Sequence, residues 1–306
     1  MWRSRVAFGI ASFRSSTSHA VTIAELQFLG AAALIFIPLE RLLPLHRDQK
    51  TLRPGLRVDV LHLIVSAAFI RAGTAATAIG ISYACDLVVP DRVHNVIRDQ
   101  AGWLQFVQLL LLADLCFYLA HRLVHTVPWL WRFHAVHHSS EQMDWLSTFR
   151  VHPVDQVLNS TIIGVPAVAL GFSPAPLLAY ALLYRVHALL LHSNVHVDLG
   201  PLERVFASPR YHHWHHADEP QAYDRNFGGQ LVIWDRLFDT LYESHELPAR
   251  YGVGAAVSKR YVQQLLTPLL PRRRRRARTR TGSLPNLSPR PAVPTLTPSA
   301  SVAASD

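Results

Sequence analysis

The stretch PRYHHWHHAD, residues 209–218, places four histidines within five positions around one tryptophan. The spacing His-x-x-His-His occurs here as His212, His215 and His216, and the same spacing has already occurred in WRFHAVHHSS, residues 131–140. Two His-x-x-x-His pairs lie elsewhere in the chain. Residues three or four positions apart share one face of a helix, about 5–6 Å from each other. The pattern therefore predicts that each group directs two or three imidazoles at a common volume.

These spaced groups contain ten histidines. The ten are His121, His125, His134, His137, His138, His192, His196, His212, His215 and His216. Neutral imidazole suits iron, copper and zinc, and the two cysteines, Cys85 and Cys116, lack the Cys-x-x-Cys spacing of a thiolate site. Ten imidazoles exceed what one ion can hold. The sequence predicts two ions, each with about five nitrogen ligands and room for an oxygen species.

One histidine of the opening stretch is left over. On a helix, His213 is turned by about 100° from His212, so we expect it to support the ligands or to face the substrate. The opposite register, in which His213 and His216 form the inward pair, stays open because these two are also three positions apart.

The composition indicates a membrane protein. Half of the residues are apolar, only 17% are charged, and the mean hydropathy is positive. Apolar segments at about 22–39, 58–90 and 102–120 approach the roughly 20 residues that a spanning helix needs, which predicts three spans. The second could be one tilted helix, a broken one or two pieces. Segments 156–170 and 176–191 fall short of a span, and we expect a hairpin that returns to the side it left.

The distribution of positive charge predicts an orientation in the membrane and argues against nucleic acid as a partner. The net charge of +9 is concentrated in the arginine run 271–280 and in short loops, which favours a membrane surface over nucleic acid. The loop 40–57 carries five Arg and Lys residues, so the positive-inside rule predicts that it is cytoplasmic. The third span then ends in the cytoplasm at His121, and a hairpin would bring all the histidine groups to that face.

The chain divides into four regions. We expect an N-terminal arm at 1–21, transmembrane helices at 22–101 and a catalytic domain at 102–250. The remainder, 251–306, is basic and rich in Pro, Ser and Thr, and we interpret it as a disordered tail.

Several polar residues are candidates to support the bound cofactor. Asp114 lies seven residues before His121, on the same helical face, and we expect its carboxylate to accept a hydrogen bond from the second N–H of a ligand histidine. Asn194 and Asp144 are candidates for the same role. Arg150, His152 and Asp155, in FRVHPVD, lack the paired spacing of a ligand group, and we expect them to have a structural or supporting role.

Five segments carry a resemblance to a known family. They are HRLVH (121–125), HAVHHSSEQMDWLSTFRVHPVD (134–155), LLHSNVH (190–196), PRYHHWHH (209–216) and NFGGQLVIWDRLFDTLY (226–242). Together, over about residues 110–245, they resemble the fatty acid hydroxylase and sterol desaturase superfamily, the integral-membrane oxygenases with histidine-box diiron centres.

The resemblance implies an all-α integral membrane helical bundle with a cytoplasmic, histidine-lined dimetal site. It implies a hydroxylase or desaturase that acts on a C–H bond of a lipid such as a sterol or a fatty acyl chain. Two Fe ions would be held by the ten histidines, with O2 as co-substrate. Electrons would come from NAD(P)H through a separate protein, a cytochrome b5-like protein or a ferredoxin with its reductase, because the chain has no flavin or Fe–S motif.

Two other functions stay open. A membrane zinc hydrolase would also use histidines, but it needs a general-base carboxylate, and no His-Glu-x-x-His motif occurs. A non-catalytic membrane scaffold with a basic tail would leave the ten spaced histidines unexplained. Metal content separates the three hypotheses.

Overall fold

The computed structural model describes residues 23–270, and the regular secondary structure of that part of the chain is helical. The arm at 1–21 and the arginine run lie outside the described residues. Between residues 23 and 270 no strand forms, and the isolated β-bridges are Pro44 to Val195, Phe206 to Leu231 and Ala217 to Tyr251. The prediction of an all-α fold is confirmed.

The α-helices are α1 (Ile23–Leu42), α2 (Leu56–Leu61), α3 (Ala67–Val88), α4 (Asp91–Arg98), α5 (Gly102–Thr126), α6 (Pro128–His137), α7 (Pro153–Leu170), α8 (Pro174–His192), α9 (Pro209–His215), α10 (Ile233–Leu237) and α11 (Tyr261–Leu266). Short 3-10 turns lie at Trp145–Phe149, Gly200–Arg204, Pro220–Ala222, Gly254–Ala256 and Thr267–Leu269.

Four helical stretches are long and apolar enough to cross a membrane: α1, the run Leu56–Cys85, α5 and α8. They fit a multi-pass membrane protein. The first, second and third of the predicted spans are among them. The prediction that the last apolar segment falls short of a span is wrong, because α8 has 19 residues. Its first prolines occupy the first helical turn, where a missing N–H costs nothing, so they begin the helix and do not break it.

The second apolar segment is one continuous helical run. A π-turn, His62–Ser66, joins α2 to α3 without a break. The His62 ring spans this wider turn, with Nδ1 3.0 Å from Ser66 Oγ and Nε2 2.8 Å from Gln264 Oε1. π-Turns of this kind are rare and occur mostly as single turns inside α-helices. Arg71, the charge near the middle of the run, lies 3.3 Å from the Glu25 carboxylate.

The predicted hairpin is formed by α7 and α8. Gly171, with φ 72°, caps α7 in the left-handed region that favours glycine, and α8 begins three residues later. α7 packs against α3 and α5, and α8 packs against α5. Asp155 in the first turn of α7 and His192 at the end of α8 both touch the histidines of α6, so the hairpin returns to the end of the bundle where it began.

The packed region extends past the predicted domain boundary at 250. Residues 261–266 form α11, whose Gln264 is buried and hydrogen-bonded to His62. His152 Nε2 lies 3.0 Å from the Leu265 carbonyl oxygen, which ties α11 to the start of α7. The first twenty residues assigned to the tail, 251–270, are therefore part of the fold.

Candidate metal centre

Nine of the ten predicted ligand histidines meet in two groups at one end of the bundle. The first group, called here the five-histidine group, contains His121, His125, His134, His138 and His215. The second, the four-histidine group, contains His137, His192, His212 and His216. All nine are buried, and within each group the ligand nitrogens lie within 4.8 Å of one another.

Each His-x-x-His-His motif divides its histidines between the two groups. In the α6 motif, His134 and His138 join the five-histidine group and His137 joins the other. The α9 motif is divided the opposite way, with only His215 in the five-histidine group. On a helix, positions i and i+4 are about 40° apart, whereas i+3 lies about 60° to the other side of i. One motif can therefore serve two adjacent ions.

The outward ring nitrogens of five ligands face oxygen atoms. The Nδ1 partners are Phe227 O for His121 (2.9 Å), Asp155 Oδ2 for His134 (3.0 Å), Arg225 O for His215 (2.8 Å), Arg150 O for His137 (3.2 Å) and Ala188 O for His192 (2.8 Å). A carbonyl or carboxylate oxygen only accepts hydrogen bonds, so in a neutral imidazole each of these Nδ1 atoms carries the proton. Each Nε2 then presents a lone pair to the inside of its group.

Imidazole lone pairs that point at each other within a group make the groups suitable for binding metal ions. The Nε2 atoms of His137 and His192 are 3.1 Å apart, as are those of His121 and His134, and neither pair has a proton to share when Nδ1 is protonated. His138 Nε2 is buried without a hydrogen-bond partner. Two nitrogens bound at right angles to one ion, with bonds of about 2.1 Å, lie about 3 Å apart. The residues present therefore fit cations, and each group suits one.

Burial keeps these imidazoles neutral. It lowers the pKa of His137, His138, His212 and His216 well below the ordinary 6.5, and the neighbouring histidines lower it further. A metal ligand must be unprotonated, so the site is ready to bind cations at neutral pH without first releasing protons.

The comparisons with known proteins agree with this site. The ornithine lipid hydroxylase OlsE of Rhizobium tropici is 30% identical over 257 residues, which cover 79% of this chain and 74% of that protein. The chain belongs to the fatty acid hydroxylase family. The family model for fatty acid hydroxylase matches residues 106–240, which contain every histidine of both groups.

Other relatives match over a shorter stretch of the chain. The alkylglycerol monooxygenase of Danio rerio is 36% identical over 138 residues and that of Homo sapiens 34% over 140 residues. These alignments cover 45% and 46% of this chain but only 30% and 31% of the relatives, so the chain spans about three tenths of their length. No solved structure matches the chain.

His196 does not join either group. Its i, i+4 relation to His192 assumed a helix, but α8 ends at His192 and the chain continues without helical structure. The His196 backbone N–H donates to the Leu43 carbonyl, and its side chain is exposed. His196 is therefore not among the histidines that could hold a metal ion at this site.

Asp114 supports the backbone and not a histidine. Its carboxylate accepts hydrogen bonds from the Gln230 and Leu231 N–H groups, at 2.7 and 2.9 Å, and from Trp234 Nε1 at 3.1 Å. The non-helical segment 227–232 lies against α5, and because Gln230 and Leu231 are buried there, their N–H groups need acceptors from the protein. The expected bond from Asp114 to a ligand histidine does not form.

The other supporting candidates also contact the chain around the ligands. The Asn194 side chain accepts from the His46 N–H at 2.7 Å and donates to the His46 carbonyl at 3.1 Å. His152 caps α7, accepting the Val154 N–H at Nδ1. Asp144 accepts from the Arg53 guanidinium.

His213 faces away from both groups, which agrees with the register that makes His212 a ligand. Its Nε2 lies 3.1 Å from the Ser193 carbonyl and its Nδ1 2.9 Å from Tyr251 Oη. Burial, with a smaller contribution from His46, lowers the pKa of His213 to about 3, so the ring is neutral. Nε2 then donates to the carbonyl and Nδ1 accepts from the tyrosine hydroxyl.

The sequence identified one acidic partner of the ligand histidines and missed the others. Asp155, expected to have a structural or supporting role, accepts from His134, and its first-turn position on α7 aims it at α6. Asp224 lies 3.4 Å from His125 Nδ1. The other acceptors are backbone carbonyls, which no side-chain pattern reveals.

Proposed function

We propose that the protein is a membrane-bound diiron hydroxylase that inserts oxygen from O2 into a C–H bond of a lipid. The observation that carries the proposal is the pair of buried histidine groups whose Nε2 lone pairs face each other. Iron accepts an all-imidazole donor set, and the relatives named above are hydroxylases and monooxygenases. Among residues 23–270, neither group contains a carboxylate, so a zinc hydrolase would lack its general base there.

The chain's own residues prepare the site in two ways. The Nδ1 hydrogen bonds to oxygen acceptors hold five of the nine imidazoles in the tautomer that presents Nε2 inward and fix the orientation of those rings. The burial of all nine rings keeps bulk water away from the reacting centre. When bound, two iron ions would supply O2 activation and hydrogen abstraction. His138 and His216, whose rings stack at 4.3 Å between centroids, connect the two groups and would hold both ions in one reacting unit.

We propose that part of the lipid hydrocarbon occupies an open apolar groove of about 450 Å³ beside α5. Leu111, Leu112 and Leu115 of α5 line it together with Phe172 and Trp234. The α5 helix also carries His121, six residues beyond Leu115, which is about 9 Å along the axis and about 120° around it. An apolar lining beside the ligand helix suits an acyl or alkyl chain, and the named substrates of the relatives make hydroxylation of a chain-bearing polar lipid the preferred reaction.

The electrons would come from a separate redox protein that reaches the histidine end of the bundle. We propose that this end faces the cytoplasm, because the basic loop 40–57 adjoins it through the hydrogen bonds of His46 to Asn194. Reporters fused after residue 148 and after residue 222 should both report the cytoplasm. Opposite answers would contradict a shared site on one face.

The direct test is oxygen incorporation. The iron-loaded protein in lipid vesicles, with a reductase and electron donor under ¹⁸O2, is expected to produce a hydroxylated ornithine lipid or alkylglycerol that carries ¹⁸O, read by mass spectrometry. His215→Ala should abolish the product because it removes a ligand, whereas His196→Ala, an exposed histidine outside both groups, should keep it. No ¹⁸O in any lipid with iron-loaded, reduced protein would contradict the proposal.

A further inference from the structure

One backbone turn supports three ligands of the five-histidine group. Residues 224–227 supply one acceptor to each of them. The contacts are Asp224 Oδ1 to His125 Nδ1 at 3.4 Å, Arg225 O to His215 Nδ1 at 2.8 Å and Phe227 O to His121 Nδ1 at 2.9 Å. None of the Nδ1 partners described for the four-histidine group comes from this turn. The orientation of three of the five rings in this group therefore depends on the shape of a single turn.

The turn contains two residues in the left-handed region. Asp224 and Asn226 have φ of 56° and 59°, a conformation that Asp and Asn tolerate better than other non-glycine residues. Such a conformation persists only where surrounding contacts enforce it. The turn needs a fixed anchor.

Asn226 is that anchor. Its side chain is fully buried, and its Nδ2 donates to the carbonyls of Tyr211 and Tyr242, both at 3.0 Å. Its Oδ1 accepts from the Tyr242 N–H at 2.7 Å, and its own N–H donates to the Thr240 carbonyl at 2.9 Å. Tyr211 precedes the ligand His212 on α9, so Asn226 ties the turn to a ligand helix.

The four-histidine group has a different support. His137 donates to the Arg150 carbonyl at 3.2 Å, and the Arg150 guanidinium is held by Asp59 on Nε and by the Ser139 and Gly55 carbonyls on its other nitrogens. Asp59 is fully buried and also pairs with Arg53 at 2.6 Å. This ion network lies on α2 and the 139–150 segment and has no described contact with the 224–227 turn.

We infer that Asn226 and Arg150 are positioning residues for different metal ions: Asn226 for the ion of the five-histidine group, Arg150 for the ion of the four-histidine group. The inference rests on the proposed function, because it requires two bound ions. It goes further in assigning each ion its own outer support. Mutations that change no ligand should therefore weaken the binding of one ion and leave the binding of the other unchanged.

The test uses Asn226→Asp and Arg150→Lys in the full-length, detergent-purified protein. Asn226→Asp keeps the side-chain shape but places a carboxylate oxygen against two carbonyl oxygens, which should release the turn. Arg150→Lys keeps the charge but loses the Nε–H donor and the planar fork. Metal-free protein is titrated with Fe(II) under anaerobic conditions, and bound iron per chain is measured. Each variant is expected to keep one wild-type site and to weaken the other by about 10–100-fold.

Ligand variants identify the site that remains. Adding His192→Ala to Asn226→Asp should weaken the remaining tight site, whereas adding His125→Ala should change little, because that group is already impaired. Arg150→Lys should show the opposite pattern. Equal weakening of both sites in each single variant, or no weakening in either, would overturn the inference.

Two further variants keep the test decisive. Asn226→Gly permits the left-handed φ but removes the side-chain anchor, so it should give the same selective loss if Asn226→Asp does not fold. Asn95→Asp is the matched control, because Asn95 is exposed on α4 and lies outside both supports, and it should keep two sites. Wild-type protein without stoichiometric iron would contradict the proposed function itself; two wild-type sites without selective loss would contradict only this inference.

Discussion

Replacing Asp114 with Asn tests whether one carboxylate holds the 227–232 segment against α5. The carboxylate accepts three hydrogen bonds, two at Oδ2 from Leu231 N–H and Trp234 Nε1–H, and one at Oδ1 from Gln230 N–H. An Asn side chain can keep the two bonds at one oxygen, but its NH2 group then faces the Gln230 N–H.

The size of the effect follows from these bonds. An orphaned buried donor costs about 1–3 kcal/mol, and exchanging a charged for a neutral acceptor in the other two bonds costs about 1 kcal/mol each. The loss is then about 3–5 kcal/mol, which corresponds to a fall of roughly 6–20 °C in Tm at about 2–4 °C per kcal/mol. Because Phe227 belongs to the released segment and its carbonyl orients His121, iron binding should weaken as well.

Thermal unfolding of the detergent-purified protein, followed by far-UV circular dichroism, measures the change in Tm, and iron content is read on the same samples. Asp99→Asn is the control, because Asp99 is exposed at the end of α4 and its replacement should change stability by less than about 0.5 kcal/mol. An Asp114→Asn protein with wild-type Tm and wild-type iron content would show that the carboxylate does not hold the segment.

Three further outcomes are expected. His212→Ala should lose iron, whereas His213→Ala should keep most of it, because the His213 ring bonds to Tyr251 and Ser193 and not to the groups; equal losses by metal analysis would reverse the register. Metal-free protein should lose stability as the pH falls below about 6.5, because the ligand histidines have lowered pKa values and the unfolded chain therefore binds more protons than the folded one. Each such histidine lowers the free energy of unfolding by up to about 1.4 kcal/mol per pH unit. A denaturant midpoint that rises on acidification would contradict the predicted loss of stability of the metal-free protein. Leu112→Trp should fill the groove and lower kcat/KM for a long-chain lipid by about tenfold or more, while Leu178→Trp, at an exposed position of α8 outside the groove lining, should not.

The histidine spacing predicted most of the site because most of the ligand histidines lie on helices, where residues three or four positions apart share one face. His121 and His125 on α5, and the two His-x-x-His-His motifs, lie on helices that exist as expected. Where the helix ended, the prediction failed: His196 has the right spacing from His192 but follows the last residue of α8. The spacing of two histidines predicts that they share a site only when the helix extends over both of them.

The division of each motif between two groups could not be predicted in the same way. The helix fixes the angle between His134 and His137, but the facing helices decide which group each ring enters. The role of Asp114 depended on the 227–232 segment, which has no periodic signal and lies 113 or more residues away along the chain. Likewise, the Phe227 and Arg225 acceptors are backbone carbonyls, whose direction is set by left-handed residues and not by side-chain type.

The apolar pattern predicted the membrane helices but not the length of the last one. Gly171 was identified as part of a break, and the break is confined to it and the next two residues. The prolines that follow it begin α8, because a proline in the first turn lacks only an N–H that would have no partner. Residues 251–270 were given to the tail, because short helices held by single contacts such as Gln264 to His62 leave no periodic signal.

The measurement that bears most directly on the proposed centre is the metal content of the full-length protein purified from membranes under mild conditions, read by inductively coupled plasma mass spectrometry. Nine inward-facing imidazoles in two groups predict close to two iron ions per chain, reduced to one or fewer by His138→Ala and unchanged by His196→Ala. About one zinc ion per chain, or no stoichiometric metal in protein that retains its helical content, would contradict the diiron centre.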